Sequence, residues 1–361
     1  MRIVSIVGAR PQFVKAAVVC RAIESENRRH PVEHHIIHTG QHYDAAMSDV
    51  FFDELGIPAP RHHLGVGSAT HAVQTAEMMK CLEPVLASLH PDWVLLYGDT
   101  NSTLAGAVVS SKLGLRTAHV EAGLRSFNRS MPEEINRIVA DHLSDLLLAP
   151  TGLALTNLTR EGLNSRCVVT GDVMLDANVI WRRAAEREVG ELARQWAPKQ
   201  FALATVHRAE NTDNLERLRS ILRSLERIAA SVCPVVFPVH PRTRKQLASA
   251  GWTPNAVTVI DPISYLEMLL LESRARFILT DSGGVQKEAY FVQVPCITLR
   301  DETEWEETLA NGCNVLTGAN EEAIMTAVER LNAAGPWSDF YGDGTAGENI
   351  IRALHDYEPP T

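Results

Sequence analysis

Short apolar runs that each end in a polar cluster recur along this chain, and few architectures accommodate that rhythm. The runs Ile3 to Val7, His34 to His38, Trp93 to Tyr97, Thr117 to Val120, Leu146 to Ala149 and Cys167 to Thr170 alternate with longer stretches of helical spacing. A second series repeats the pattern: Phe201 to Val206, Val235 to Val239, Val257 to Ile260, Phe277 to Thr280, Cys296 to Leu299 and Asn314 to Leu316. Apolar segments of this length, separated by helix-length segments, suit parallel strands joined by crossover helices. The predicted fold class is therefore α/β, with two Rossmann-like, doubly wound parallel sheets facing each other across a cleft. Length agrees, because 361 residues exceed what one hydrophobic core usually holds.

Strand character stops at Gly171-Asp172, where an amphipathic stretch over Val173 to Arg187 begins. The expected domains are 1–171 and 172–346, with a hinge at that point. Further helices are predicted over Asn214 to Ala230 and Val285 to Tyr290. Residues 347–361 carry a helical spacing over Glu348 to Tyr357 that is expected to cross back to the first domain.

Charge and cysteine usage exclude several classes. A formal charge of −10 opposes a sequence-independent nucleic-acid binder, which needs a dominant basic face. The six cysteines are scattered without Cys-x-x-Cys spacing, which disfavours a zinc site and a disulfide scaffold and predicts reduced thiols in a cytoplasmic protein. Met1 to Val7 is too short an apolar stretch for a secretory segment, and no run approaches a membrane span, so no membrane association is expected. His38 and His42 stand four apart with Gly40 between them in a strand-to-loop region, so no metal is expected there.

Residues just past the carboxyl ends of parallel strands line the ligand crevice. In this chain they are Gly8-Ala9-Arg10-Pro11, Gly98-Asp99-Thr100, Glu121-Ala122-Gly123, His207-Arg208, His240-Pro241 and Asp281-Ser282-Gly283-Gly284. Cations, carboxylates and glycines together suit a phosphorylated substrate that also exchanges a proton. Pro11 suits the first turn of a helix whose free amides receive an anion, with Arg10 and Lys15 adding charge. No Gly-x-Gly-x-x-Gly is present, so no dinucleotide cofactor is indicated, and Gly65 to Thr70 follows no strand and reads as a loop and helix cap. At Ser282-Gly283-Gly284 two glycines let backbone amides approach a diphosphate, and Glu288 lies one helical turn on, placed to accept from ribose hydroxyls. A capped turn with a solvated glutamate is the alternative.

Asp99 and Glu121 end neighbouring strands, and converging carboxylates raise one another's proton affinity, as general bases require. Glu133 and Glu134 follow Pro132, where charge at a helix start competes with catalysis as the explanation. His207 and His240 are open to acid, phosphate-ligand or packing roles. No Gly-x-Ser-x-Gly elbow supports nucleophilic catalysis.

Taken in order, these clusters resemble the non-hydrolysing UDP-N-acetylglucosamine 2-epimerase family. The matching residues are Gly8-Ala9-Arg10-Pro11-Gln12, Thr39-Gly40-Gln41-His42, Gly98-Asp99-Thr100, His119-Val120-Glu121-Ala122-Gly123-Leu124-Arg125, Pro132-Glu133-Glu134-Ile135-Asn136-Arg137, His207-Arg208-Ala209-Glu210-Asn211 and Asp281-Ser282-Gly283-Gly284. The resemblance implies the GT-B fold, no cofactor, a homodimer, and reversible inversion at C2 of UDP-GlcNAc to give UDP-ManNAc through elimination of UDP and re-addition. It implies Asp99, Glu121, Glu133 and His207 as catalytic residues. Arg10, Lys15, Arg137, Arg208, His240, Ser282, Gly283, Gly284 and Glu288 would bind the substrate, and domain closure would retain the glucal intermediate. Two departures bear on the substrate. Leu64 to Thr70 lacks the Arg-Gln pair found in members activated by a second UDP-GlcNAc. The short segment Ser126 to Met131 resembles the branch that includes epimerases of UDP-2,3-diacetamido-2,3-dideoxyglucuronate, with Arg129 open to a C6 carboxylate or to solvent. A GT-B glycosyltransferase and a non-catalytic UDP-sugar sensor are the competing classes, the first served equally by Ser282, both glycines and Glu288.

Overall fold

The computed structural model describes residues 1–28, 30–41, 52, 54–188, 195–239, 241–331 and 334–358. It divides into two compact units, one of Met1–Ala177 with Asp339–Thr361 and the other of Asn178–Ser338. The division falls inside the helix Val173–Glu188, past the Gly171-Asp172 point named from sequence.

In the first unit β1 (Arg2–Val7), β2 (Glu33–His38), β3 (His62–His63), β4 (Trp93–Tyr97), β5 (Thr117–Val120), β6 (Leu146–Ala149) and β7 (Cys167–Val169) form one sheet in the order β3-β2-β1-β4-β5-β6-β7. Every pairing in it is parallel. Parallel strands buried on both faces read as unbroken apolar runs, and β4 is buried along its full length. Helix Asn101–Lys112 lies so close to the sheet that a Cβ on Gly106 would stand 2.6 Å from Leu96 and 2.9 Å from Ile6 side-chain atoms. β3 escapes sequence reading because it is two histidines long. Thr70 occupies the N-cap position of helix His71–Leu89, although its side chain accepts no capping bond. The terminal helix Ala346–His355 packs on helix Arg10–Glu26, with Gly347 against Val18, and Asp176 accepts from the amides of Ala346 and Gly347 at 3.1 and 2.8 Å.

The second unit repeats the design. β8 (Ala202–Thr205), β9 (Val235–Pro238), β10 (Thr258–Ile260), β11 (Phe277–Thr280), β12 (Cys296–Thr298) and β13 (Asn314–Leu316) lie in the order β10-β9-β8-β11-β12-β13, again all parallel. Its core joins Phe237, Phe277, Leu279 and Ile297 to the apolar face of helix Leu215–Ser231, where Leu218, Ile221, Leu222, Leu225 and Ile228 keep a helical period. Each fully buried side chain of this kind contributes about 1.5–3 kcal/mol. In both sheets the strand order reverses beside the first strand, between β1 and β4 and between β8 and β11, and ligand crevices open at such switch points.

Candidate active site

In the first unit the switch point is lined by ionisable side chains. Lys15 projects from helix Arg10–Glu26, is 8% exposed, and forms a close ion pair with Glu121, which is 6% exposed. Glu121 follows β5 with φ +70, a conformation that a residue with a side chain adopts at an energetic cost and that clusters at functional sites. Gly98, after β4, has φ +61, and a Cβ there would stand 2.9 Å from the Lys15 ammonium and 3.3 Å from the Glu121 carboxylate. The ion pair therefore rests directly on the Gly98 backbone.

Asp99 comes next and accepts from Arg137 at 2.9 Å. Burial raises the Asp99 carboxyl above the usual carboxylate range; Arg137 and Lys15 pull it back, and Glu121 and Glu133 push it further up. The side chain keeps 35% of its surface, so solvent moderates that rise. Arg137 lies on helix Pro132–Leu143 and is 2% exposed, with its Nε and Nη2 lacking a hydrogen-bond acceptor. Its Nη2 is 3.2 Å from Glu134, near enough to pair in charge but outside hydrogen-bonding alignment. Glu134 is committed elsewhere: it accepts from the amides of Ser126 and Phe127 at 2.9 and 3.0 Å and thereby holds the loop entering that helix. Glu133 is half-buried on the same turn and acts on Asp99 through its charge. Arg10 is half-buried at the first position of its helix, while Gln12 occupies the Gly8 and Ala9 amides at 2.8 and 3.1 Å.

In the second unit the switch point is built from backbone. Asp281, fully buried after β11, accepts from the amides of His207 at 3.1 Å and Arg208 at 3.0 Å and from the Asn211 side chain at 3.1 Å. The His207 ring, half exposed, has Nδ1 3.3 Å from the same carboxylate. Ser282 is the N-cap of helix Gly283–Phe291, accepting from the Val285 amide at 3.4 Å, and both glycines lie within the first turn. A Cβ on Gly283 would stand 2.7 Å from the Glu304 carboxylate, which would have to move to admit a larger residue. Glu288 is buried and folds back over this turn, its Oε2 3.9 Å from the position of a Gly284 Cβ. Amides at a helix start with the hydroxyl that caps it are suited to an anion, and a carboxylate one turn on accepts from vicinal hydroxyls.

Asp99, Glu121, Lys15, Arg137 and Glu133 thus share one crevice in the first unit, and His207, Arg208, Ser282, Gly283, Gly284 and Glu288 share one in the second. His240 lies outside the described residues. Two contributors went unassigned from sequence. Asp281 organises the second crevice, and an aspartate at a strand end ahead of Ser-Gly-Gly was the available signal. Glu134 holds the loop entering helix Pro132–Leu143, and no local pattern separates it from Glu133. Among the described residues no set of three His, Cys, Asp or Glu side chains is grouped to hold a metal, and no helix is long and apolar enough to cross a membrane.

Residues 24–355 match the family model described as UDP-N-acetylglucosamine 2-epimerase. A UDP-N-acetylglucosamine 2-epimerase homolog of Methanococcus maripaludis is 48% identical over 99% of this chain and 100% of its own length. The UDP-2,3-diacetamido-2,3-dideoxy-D-glucuronate 2-epimerase of Pseudomonas aeruginosa is 47% identical over 98% of this chain and 99% of its own. Among solved structures, the Methanocaldococcus jannaschii UDP-GlcNAc 2-epimerase in complex with UDP-GlcNAc and UDP is similar at a TM-score of 0.90 and 44% identity, covering 98% of this chain and 99% of that one.

Proposed function

Since the chain belongs to the UDP-N-acetylglucosamine 2-epimerase family, whose members of this name are isomerases with the GT-B fold, we propose that it interconverts UDP-GlcNAc and UDP-ManNAc by elimination and re-addition of UDP. One observation carries the reading: Asp99, Glu121 and Glu133 converge on one crevice together with Lys15 and Arg137. A carboxylate takes the C2 proton, the C1–oxygen bond to the diphosphate breaks, and the electron pair forms the C1=C2 double bond of 2-acetamidoglucal. Re-addition of UDP at C1 with protonation of C2 from the opposite face completes the inversion, so two acid/base positions are needed. We assign these to Asp99, Glu121 and Glu133, with the choice of face left among them.

The departing diphosphate gathers charge, which fixed cations and amides stabilise. Arg10, His207 and Arg208 are suited to that role, alongside Ser282 and the Gly283 and Gly284 amides, and Glu288 is suited to the ribose. Three clustered carboxylates exceed the single base that a transferase needs and serve no purpose in a sensor, which weighs against both. A second substrate, UDP-2,3-diacetamido-2,3-dideoxyglucuronate, is favoured by the 47% identity to the Pseudomonas enzyme. We further propose a homodimer in the cytoplasm, checked by light scattering and fractionation. The function itself is tested by offering both UDP-sugars in heavy water. Product carrying deuterium at C2, with slow release of the glucal and UDP, is expected; product without it, or a requirement for NAD, would sink the mechanism.

A further inference from the structure

Behind the Asp99 crevice lies a group of four ionisable side chains, three of them buried, that the reaction scheme leaves unused. His119 on β5 and Asp141 on helix Pro132–Leu143 are both fully buried, with Nδ1 and Oδ1 2.6 Å apart. On its other side the ring places Nε2 2.7 Å from the Gly98 carbonyl oxygen. Asp141 Oδ2 faces Arg125 Nη1 at 2.7 Å and accepts from the Gly123 amide at 3.1 Å. Arg125 spreads its remaining donors over Glu161 at 2.7 and 2.8 Å and the Leu124 carbonyl at 2.7 Å.

This hydrogen-bond set leaves the ring one arrangement. A peptide carbonyl only accepts, so Nε2 must carry a proton. Asp141 faces the Arg125 guanidinium and accepts from the Gly123 amide through its other oxygen, contacts made by an ionised carboxylate, so it too only accepts. Nδ1 must then also carry a proton. Two cations, His119 and Arg125, then stand against two carboxylates, Asp141 and Glu161, the latter partly exposed and also 3.3 Å from His142. Isolated charges could not persist at such depth, whereas hydrogen-bonded pairs can.

We propose that His119 is a positioning residue, a doubly protonated imidazolium locked by Asp141 that pins the Gly98 carbonyl and thereby sets the spacing of Asp99, Lys15 and Glu121. The bond to Gly98 is charge-assisted, of the stronger kind. It holds a residue whose backbone lies against the Lys15–Glu121 pair and which precedes Asp99 in sequence. This assignment rests on the acid/base reading given above for Asp99 and Glu121.

The test begins with the wild-type full chain carrying ¹⁵N-histidine, with His119→Gln used to identify the His119 signals. At the pH of the activity assay both ring nitrogens of His119 should show bonded protons. A bare ring nitrogen overturns the proposal, whatever the variants do. In steady-state assays His119→Gln and Asp141→Asn should lower kcat roughly 10- to 100-fold per folded molecule, as displaced reacting groups do, while UDP affinity stays within about two-fold. Folded variants that retain wild-type kcat also overturn it. A wild-type enzyme that epimerises no UDP-sugar refutes the reaction while the ring-proton result stands, so the two failures are told apart.

Discussion

The two sheets share one strand order and put chemistry at the same switch point, yet they line it with different materials. Between β1 and β4 the lining is paired side-chain charge, Lys15 with Glu121 and Arg137 with Asp99. Between β8 and β11 it is largely main chain, with amides gathered by Asp281 and the start of helix Gly283–Phe291 capped by Ser282. The contrast shows what topology does and leaves undone. A parallel sheet supplies a crevice at its switch point, and residue type decides whether that crevice exchanges protons or holds an anion. Carboxylates held near cations and near one another have adjustable proton affinity; backbone dipoles carry no titratable proton at all.

Neutralising the carboxylates is the severest way to break this division. Asp99→Asn, Glu121→Gln and Glu133→Gln are each expected to lower turnover by about 10² or more, the scale of a lost general acid or base, with UDP affinity changed only a few-fold. Calorimetry with UDP, run beside the epimerisation assay, checks both halves. Loss of UDP binding in a folded variant would make the first crevice a nucleotide site and end the contrast.

The complementary substitutions act on the other lining. Ser282→Ala and Glu288→Gln should weaken UDP binding, the second by about 1.5–3 kcal/mol because it removes a charged acceptor. At saturating substrate, turnover should fall far less than in the carboxylate variants. Unchanged UDP affinity in both proteins would move the nucleotide away from helix Gly283–Phe291.

Much of this architecture was legible because buried parallel strands leave unbroken apolar runs. Trp93–Tyr97, Thr117–Val120, Leu146–Ala149, Phe277–Thr280 and Asn314–Leu316 are strands at the expected bounds. Elsewhere the ladder stops short of the apolar run, as at Phe201 and Val206, which are buried in packing without strand pairing. Residue types at the strand ends announced the crevices, but their pairings were hidden. The Lys15–Glu121 contact depends on a positive φ at Glu121, which a glutamate gives no reason to expect. Asp141 sits within an amphipathic helix and meets His119 only because the fold places that helix against β5. The glycines after Ser282 belong to the helix itself, which starts at Gly283, two residues before the expected Val285.

The smallest expected effect is a shift along the pH axis, and it probes the titratable crevice alone. Asp99 lies above the ordinary carboxylate range because of burial, opposed by Arg137 and Lys15 and reinforced by Glu121 and Glu133. If ionised Asp99 takes a proton in either half-reaction, kcat falls as pH drops through that raised value, and the acid limb belongs to the coupled carboxylate cluster. Replacing Arg137 with Gln removes a neighbour that lowers the value, so protonation then sets in at higher pH and the limb should move upward. Glu133→Gln removes a neighbour that raises it, and in the residual activity of that variant the limb should move downward. The pH dependence of UDP binding should follow neither change, because Arg137 and Glu133 belong to the first crevice and not to the lining built around Ser282. Acid limbs that stay in place in both variants, or that move together, would show that Asp99 is not the group whose proton the rate reports.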